Sequence, residues 1–169
     1  MGSGGVMYLP FVSGILSANA KKIKKIKQNF IFHKFIFQPD TAENIIKNHY
    51  KKKPHIAAFS ISMWNEQLSL KVAKILKDKF NTLIIFGGAS CPHHPINYFQ
   101  KYPFIDITIR AEGEDAFNQV LLRYLASKND FSKIANVAFR DKKSKKCIIN
   151  YEKNNSTKDL DMYPSPFLS

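Results

Sequence analysis

Two cysteines, Cys91 and Cys147, are too few for a disulfide framework in a chain of 169 residues. That scarcity fits a reducing cytoplasm. No apolar run approaches the length of a membrane span. Residues 1–5 have no basic side chain and no long apolar stretch follows them, so they are not expected to be a secretory signal. They read as a flexible start or a cloning scar. Arginine is scarce: Arg110, Arg123 and Arg140 stand among 26 basic residues. Acidic residues are also few, 13 against those 26, so the formal net charge is +13. The lysines come in runs at 21–27, 51–53 and 142–146. Nucleic-acid faces combine charge with Arg forks and interleaved aromatics. The runs here read as solvated helix backs, against a nucleic-acid partner.

Several chemical signatures are missing as well. The Gly87-Gly88 turn has neither the lysine of a phosphate-binding Walker loop nor the third glycine of a dinucleotide fingerprint. A phospho-receiver needs an Asp after the strand that here ends in Ser60-Ile61-Ser62. Cys91-Pro92-His93-His94 has no second ligand pair, and a structural zinc site needs four ligands. No metal ligand is assigned. Glu112 and Glu114 flank a glycine and read first as loop and helix-start residues favoured by the helix dipole. No catalytic residue emerges.

What is present is an alternating chain. Apolar residues make up 44%, with 14 Phe, so the chain is globular. At its centre, Leu83-Ile84-Ile85-Phe86 is apolar without a helical period and stops at Gly87-Gly88. Such a run suits a strand covered on both faces, as in parallel sheets. Around it, helices are expected at 14–28, 40–50, 65–79, 96–101 and 113–127. Strands are expected at 30–37, 56–61, 83–86 and 105–109, followed by a hairpin from 134–139 and 147–151. Asp40 and Glu43 suggest a capping box, with Ala42, Ile45, Ile46 and His49 as the inner stripe. Alternation predicts an α/β fold with a mostly parallel sheet and a C-terminal β-hairpin. Residues 6–151 form the domain and residues 152–169 a linker. Doubly wound sheets normally open on a strand. The first strand is therefore either missing or supplied weakly by Val6–Leu9.

In open α/β sheets, ligands bind at the carboxyl ends of the strands. Four loops gather there: 8–14, 60–66, 87–94 and 110–114. They hold small residues, one Trp and few charges, which suits a large, flat, partly apolar ligand better than proton transfer.

Those loops resemble a family. Leu9-Pro10-Phe11-Val12-Ser13-Gly14-Ile15-Leu16 resembles the LPYSxGxL opening of the cobalamin-binding domain that precedes a radical S-adenosylmethionine core. Phe59–Asn65 resembles GFSxYxWN, and Phe86–Ser90 resembles FGGPE/H. Tyr102–Ile107 with Arg110–Glu114 resembles xPxIDxxVxGEGE. Phe139-Arg140-Asp141, Asp159-Leu160-Asp161 and Pro164–Leu168 resemble the hairpin and the LDxIPSPY exit. The resemblance spans residues 9–168. It implies a three-layer, flavodoxin-like Rossmann sheet that binds cobalamin. The implied contact residues are Leu9, Pro10, Ser13, Gly14, Ser60, Ser62, Met63, Trp64, Asn65, Gly87, Gly88, Ala89, Glu112, Gly113 and Glu114. It implies a corrinoid used as a methyl carrier or for related radical chemistry, and a radical S-adenosylmethionine partner in cis or in trans. The iron–sulfur cluster and S-adenosylmethionine would belong to that partner, since no Cys-x-x-x-Cys-x-x-Cys motif occurs here. In the wider superfamily an Asp-x-His-x-x-Gly loop ligates cobalt. Residues 8–14 hold no Asp and no His, so the resemblance implies a base-off, histidine-off cobalt. Ala111 stands where a Gly is usual, and Ser62 where the superfamily has Leu.

Two other readings remain open from sequence. One is a degenerate docking domain that binds no cofactor. The other is a Lys-rich module for polyanions, which salt-sensitive retention on heparin would reveal.

Overall fold

A computed structural model of the chain describes residues 10–38, 40–127, 130–150 and 164–165. The suspected opening strand Val6–Leu9, and most of the 152–169 linker, lie outside the described residues. Six helices and five strands follow in order: α1 (Phe11–Lys22), α2 (Lys24–Asn29), α3 (Ala42–His49), β1 (Ile56–Ser60), α4 (Glu66–Phe80), β2 (Leu83–Gly87), α5 (Ile96–Lys101), β3 (Ile107–Ile109), α6 (Glu114–Leu125), β4 (Val137–Arg140) and β5 (Cys147–Ile149). The strands form one sheet in the order β1-β2-β3-β4-β5. β1 and β2 pair in parallel, with Ser60 opposite Gly87, and β2 and β3 pair in parallel through Ile85 and Ile107. β4 and β5 continue the sheet antiparallel, as the expected hairpin. The fold is α/β and Rossmann-like, as expected, its three parallel strands extended by the antiparallel hairpin into a mixed sheet.

Apolar side chains cover both faces. On one face Ala57, Ile84 and Phe86 meet α3 and α4 through Ile45, Ile46, Val72, Ala73 and Leu76. On the other, Ile85, Ile107 and Ile109 meet α1, α2 and α6 through Ala20, Ile26, Phe117, Val120 and Leu121. Phe86, Phe99 and Phe139 are fully buried, each contributing roughly 2–3 kcal/mol by burial. At the amino end of the sheet, Lys77 Nζ donates to both carboxylate oxygens of Asp106 at 2.8 and 2.7 Å. Asp106 also accepts from the Ile84 N–H at 2.7 Å. This clamp ties α4 to β2 and to the start of β3.

Four expectations are corrected. The 30–37 stretch, expected as an inner strand, is extended but pairs with no strand among the described residues. Phe30 and Phe32 pack on one core and Ile36 on the other, so the segment crosses between faces instead of lying in the sheet. The single helix expected at 14–28 breaks at Ile23, which is extended at φ −81° and ψ 109°. Five lysines within 21–27 repel one another at i,i+3 and i,i+4, which weakens a continuous helix. The cap of α3 is Thr41, whose hydroxyl accepts from the Asn44 N–H at 3.2 Å. Asp40 instead accepts from the Thr41 N–H and the Asn44 side chain. Finally, His49 is exposed, and Tyr50 packs against the core in its place.

Candidate functional site at the carboxyl ends of the strands

β1, β2 and β3 end side by side at Ser60, Gly87 and Ile109. The loops after β1 and β2 are laced together by backbone. The Ile61 N–H donates to the Gly87 carbonyl at 2.7 Å, and the Ser90 N–H donates to the Ile61 carbonyl at 3.2 Å. The Cys91 N–H donates to the Gly88 carbonyl at 3.0 Å, closing the turn after β2. Gly88 has φ +99°, and a Cβ there would lie 2.7 Å from the Ile61 carbonyl oxygen and 2.9 Å from its nitrogen. A Cβ on Gly87 would lie 3.3 Å from the Ile109 carbonyl oxygen. Both glycines therefore answer to neighbouring backbone, and Gly88 remains exposed on its open side.

Asn65 closes the β1–α4 loop. Its Nδ2 donates to the Ser60 carbonyl at 3.0 Å and its Oδ1 accepts from the Ser62 N–H at 2.8 Å. The side chain fixes the loop rather than facing outward. Between these anchors, Met63 and Trp64 stand 84% exposed. Such exposure of the chain's one tryptophan beside a methionine is an apolar surface that a folded chain alone does not use.

The remaining candidates surround this platform. Pro10 precedes α1, and the Gly14 N–H donates to its carbonyl at 2.9 Å. Ser13 and Gly14 lie within α1 rather than in a loop, and Gly14 is buried. Leu9 lies outside the described residues. Ala89 and Glu112 are exposed. Gly113 leads into α6, and a Cβ there would lie 3.7 Å from Leu16 of α1, so the start of α1 sits beside the end of β3. Glu114 is half-buried in the first turn of α6.

Some of the site escaped sequence reading. Arg110 is buried and donates to the His93 carbonyl, joining the β3–α6 loop to the β2–α5 loop. At the opposite end of the sheet, beside Asp106, Arg140 donates to the Phe99 carbonyl and stacks on the Phe99 ring at 5.4 Å, a clasp within the fold rather than part of the site. The signal was the scarcity of arginine: a planar fork is retained where Lys would lose the geometry. Phe11 and Val12 also add exposed apolar surface at the start of α1. Cys91 is buried under the turn, and burial pushes its thiol up to about 11, so it stays protonated at neutral pH and is a poor metal ligand. Burial, then the Glu66 carboxylate that accepts its hydroxyl at 3.0 Å, pushes Tyr98 well above the usual phenol range. His93 and His94 are exposed. Among the described residues, no group of three or more His, Cys, Asp or Glu is placed to hold a metal ion. No helix among them is long and apolar enough to cross a membrane. A groove of about 580 Å³ lined by Leu70, Lys71, Lys74, Tyr102 and Phe104 lies away from these loops, on the α4–α5 side.

No protein-family profile matches the chain. Sequence relatives do. The cobalamin-dependent radical SAM methyltransferase TokK of Streptomyces tokunonensis is 29% identical over 166 residues, covering 95% of this chain and 23% of TokK. The 2-(S-pantetheinyl)-carbapenam-3-carboxylate methyltransferase of Streptantibioticus cattleyicolor is 28% identical over 141 residues, covering 83% of this chain and 20% of the relative. The chain's sequence relatives thus include a cobalamin-dependent radical SAM methyltransferase. Solved structures agree on the fold. OxsB, a cobalamin-dependent S-adenosylmethionine radical enzyme with aqua-cobalamin and S-adenosylmethionine bound, superposes with a TM-score of 0.69 at 19% identity, over 86% of this chain and 20% of OxsB. The apo form of OxsB gives 0.66 over 85% of this chain. The chain thus spans 20–23% of the length of these proteins.

Proposed function

We propose that this chain is the cobalamin-binding part of a radical S-adenosylmethionine enzyme, and that cobalamin lies on the loops at the carboxyl ends of β1, β2 and β3. The observation that carries the reading is the exposed Met63–Trp64 platform beside the Gly87–Gly88 turn, in a chain whose relatives are cobalamin-dependent. The residues fit the group. A corrin is broad, flat and largely apolar, and the platform offers contact area without a charged side chain in the way. When bound, cobalamin supplies a cobalt able to carry a methyl group.

The chain's own residues hold and orient. Trp64 and Met63 support the apolar face. Asn65 keeps their loop in place through Ser60 and Ser62. Gly87, Gly88 and Ala89 present backbone and small side chains to the tail of the ligand. Pro10, Ser13, Glu112, Gly113 and Glu114 would border the same edge, and Leu9 is assigned with them on the sequence resemblance alone. Residues 10–14 would offer cobalt no imidazole, and His93 and His94, which follow the glycine turn, would stay off the metal. The catalytic part, with its iron–sulfur cluster and S-adenosylmethionine, acts in cis or in trans, with residues 152–169 as the connection. Methyl transfer or related radical chemistry belongs to that assembly, in a reducing cytoplasm that suits two free cysteines.

The test is incubation with hydroxocobalamin, gel filtration and a visible spectrum of the protein peak. Retained corrin absorbance, with quenching of Trp64 fluorescence corrected for inner filtering, is expected; a colourless peak refutes the reading. Electron paramagnetic resonance of the cobalt(II) form tests ligation. Nitrogen superhyperfine splitting lost in a His93→Ala, His94→Ala double variant would overturn the histidine-off state.

A further inference from the structure

The lysine runs do not spread over helix backs; the topology gathers them at one end of the sheet. Residues 51–53 lie just before β1, at its amino end. The 141–146 turn lies at the same end, since β4 runs antiparallel to β3 and the Arg140 N–H donates to the Asp106 carbonyl, ahead of β3, at 2.9 Å. α1 and α2 lead there too. Leu16 lies beside Gly113, at the start of α6, and the ring of Phe30, just past α2, lies 6.3 Å from that of Tyr124 in the last turn of α6. Residues 21–27 therefore join the others at the amino end. Every lysine of the three runs is exposed. The opposite end differs: the loops 60–66, 87–95 and 110–114 contain no lysine and hold Glu66, Glu112 and Glu114. The fold does not call for all these cations. Lys24 and Lys25 open α2, the end of a helix where cations are disfavoured, and neighbours within a run repel one another. Carboxylates at this end are engaged already: Asp106 by Lys77, Asp78 by Lys74, and Asp141 by the Ser144 N–H and hydroxyl. Beside the 21–27 run, the Lys21 ammonium lies 5.7 Å from the centre of the Phe32 ring, and Ile31 is 85% exposed.

We propose that this amino end docks on an anionic lipid surface, with Ile31 reaching into the headgroup layer and the carboxyl-end loops turned away from it. Clustered lysines attract acidic headgroups, each adding to the last, and an exposed apolar side chain supplies a second anchor. A nucleic acid fits the same face less well. Its phosphates favour Arg forks, yet Arg110 and Arg140 are spent on the His93 and Phe99 carbonyls. The lysines come from three separate segments across one end of the domain, rather than from a single groove that would track a strand. Ile31 has no ring to stack on a base. The proposal stands apart from cobalamin, and its test uses the full chain without cofactor.

Sedimentation with vesicles decides it. The chain is expected to sediment with phosphatidylcholine vesicles that contain phosphatidylglycerol, and to stay in solution with phosphatidylcholine alone. Raising salt from about 0.1 M to about 0.5 M should weaken binding by about tenfold or more. Lys24→Gln with Lys25→Gln, and Lys142→Gln with Lys143→Gln, should each weaken it about tenfold, although the two pairs are far apart in sequence. Lys71→Gln with Lys74→Gln makes the same charge change on the flank of α4 and should weaken it less than about threefold. Equal losses in all three double variants reduce the effect to net charge and overturn the proposal. Equal binding to neutral vesicles, no binding to acidic ones, or tighter binding to duplex DNA at the same salt also overturns it. Trp64, the chain's one tryptophan, reports orientation from the opposite end. Its quenching by acrylamide should be unchanged on vesicles; a blue shift with loss of quenching places the carboxyl-end loops on the lipid and refutes the proposed face.

Discussion

Gly88 presses its bare Cα against the backbone of Ile61: a Cβ would stand 2.7 Å from that residue's carbonyl oxygen. The glycine is thus required by the contact between two loops, before any ligand is considered. Gly88→Ala should cost about 2 kcal/mol or more, since it adds a left-handed strain to a backbone clash. Gly87→Ala, which meets the Ile109 carbonyl at 3.3 Å, should cost less. Urea denaturation of both variants checks the order. Equal losses would remove the special role of Gly88. Loss of cobalamin retention in Gly88→Ala would accordingly be read through the turn, not through a lost ligand contact.

Ala111 holds φ +53° in the β3–α6 loop, a conformation that costs a non-glycine residue roughly 1 kcal/mol. It is exposed, so no packing offsets the strain. Ala111→Gly relieves that strain but gains backbone freedom in the unfolded chain, at a cost of roughly 0.5–1 kcal/mol. Thermal denaturation should show a net change within about 0.5 kcal/mol of zero, whereas the same substitution at Ala116, buried inside α6, should lose well over 1 kcal/mol.

The Lys77–Asp106 pair is half-buried and shares its carboxylate with the Ile84 N–H. Asp106→Ala should destabilise the chain by about 2–3 kcal/mol, because it strands an ammonium and a strand N–H. The exposed Lys74–Asp78 pair offers the contrast: Asp78→Ala should cost under about 0.5 kcal/mol. Chemical denaturation of the two variants measures both.

Stability should fall in alkali through Cys91. Its thiol is raised by burial from 9.0 to about 11. The native thiol keeps its proton where the unfolded one loses it. The contribution is therefore intact below pH 9 and is lost as pH rises from 9 to 11, by roughly 2–3 kcal/mol. Tyr50 and Tyr98 are raised by burial too and steepen the fall at higher pH. A Cys91→Ala variant should lose stability less steeply between pH 9 and 11. An unchanged slope would discount the thiol.

Trp64 should separate binding from folding. Being 84% exposed, its replacement by Ala should leave stability within about 0.5 kcal/mol. Loss of its apolar contact should weaken cobalamin retention about tenfold by equilibrium dialysis. Unchanged retention would take Trp64 out of the site.

The sequence by itself determined the order of elements and most of the inner stripes. Period-2 and period-3.6 patterns are local, and Leu83–Phe86 followed by two glycines can hardly be read otherwise. It also marked the three loops after β1, β2 and β3, since strand ends are legible as stops in apolar pattern, whereas most of the expected 8–14 loop belongs to α1. What the pattern could not supply was pairing. Phe30–Phe37 has the composition of a strand, yet a strand exists only through a neighbour's hydrogen bonds, and none of the described strands takes it. Likewise the pattern could not show that Asn65, read as a ligand contact, also clasps its own loop through Ser60 and Ser62. Nor could it show that the bare Cα of Gly88 is required by the backbone of Ile61. Met63 and Trp64 were assigned to the cobalamin contact by resemblance; only the tertiary structure shows that the fold leaves them exposed. Long-range contacts decide which face of a side chain is spent on the fold and which remains for something else, and no local pattern carries that information.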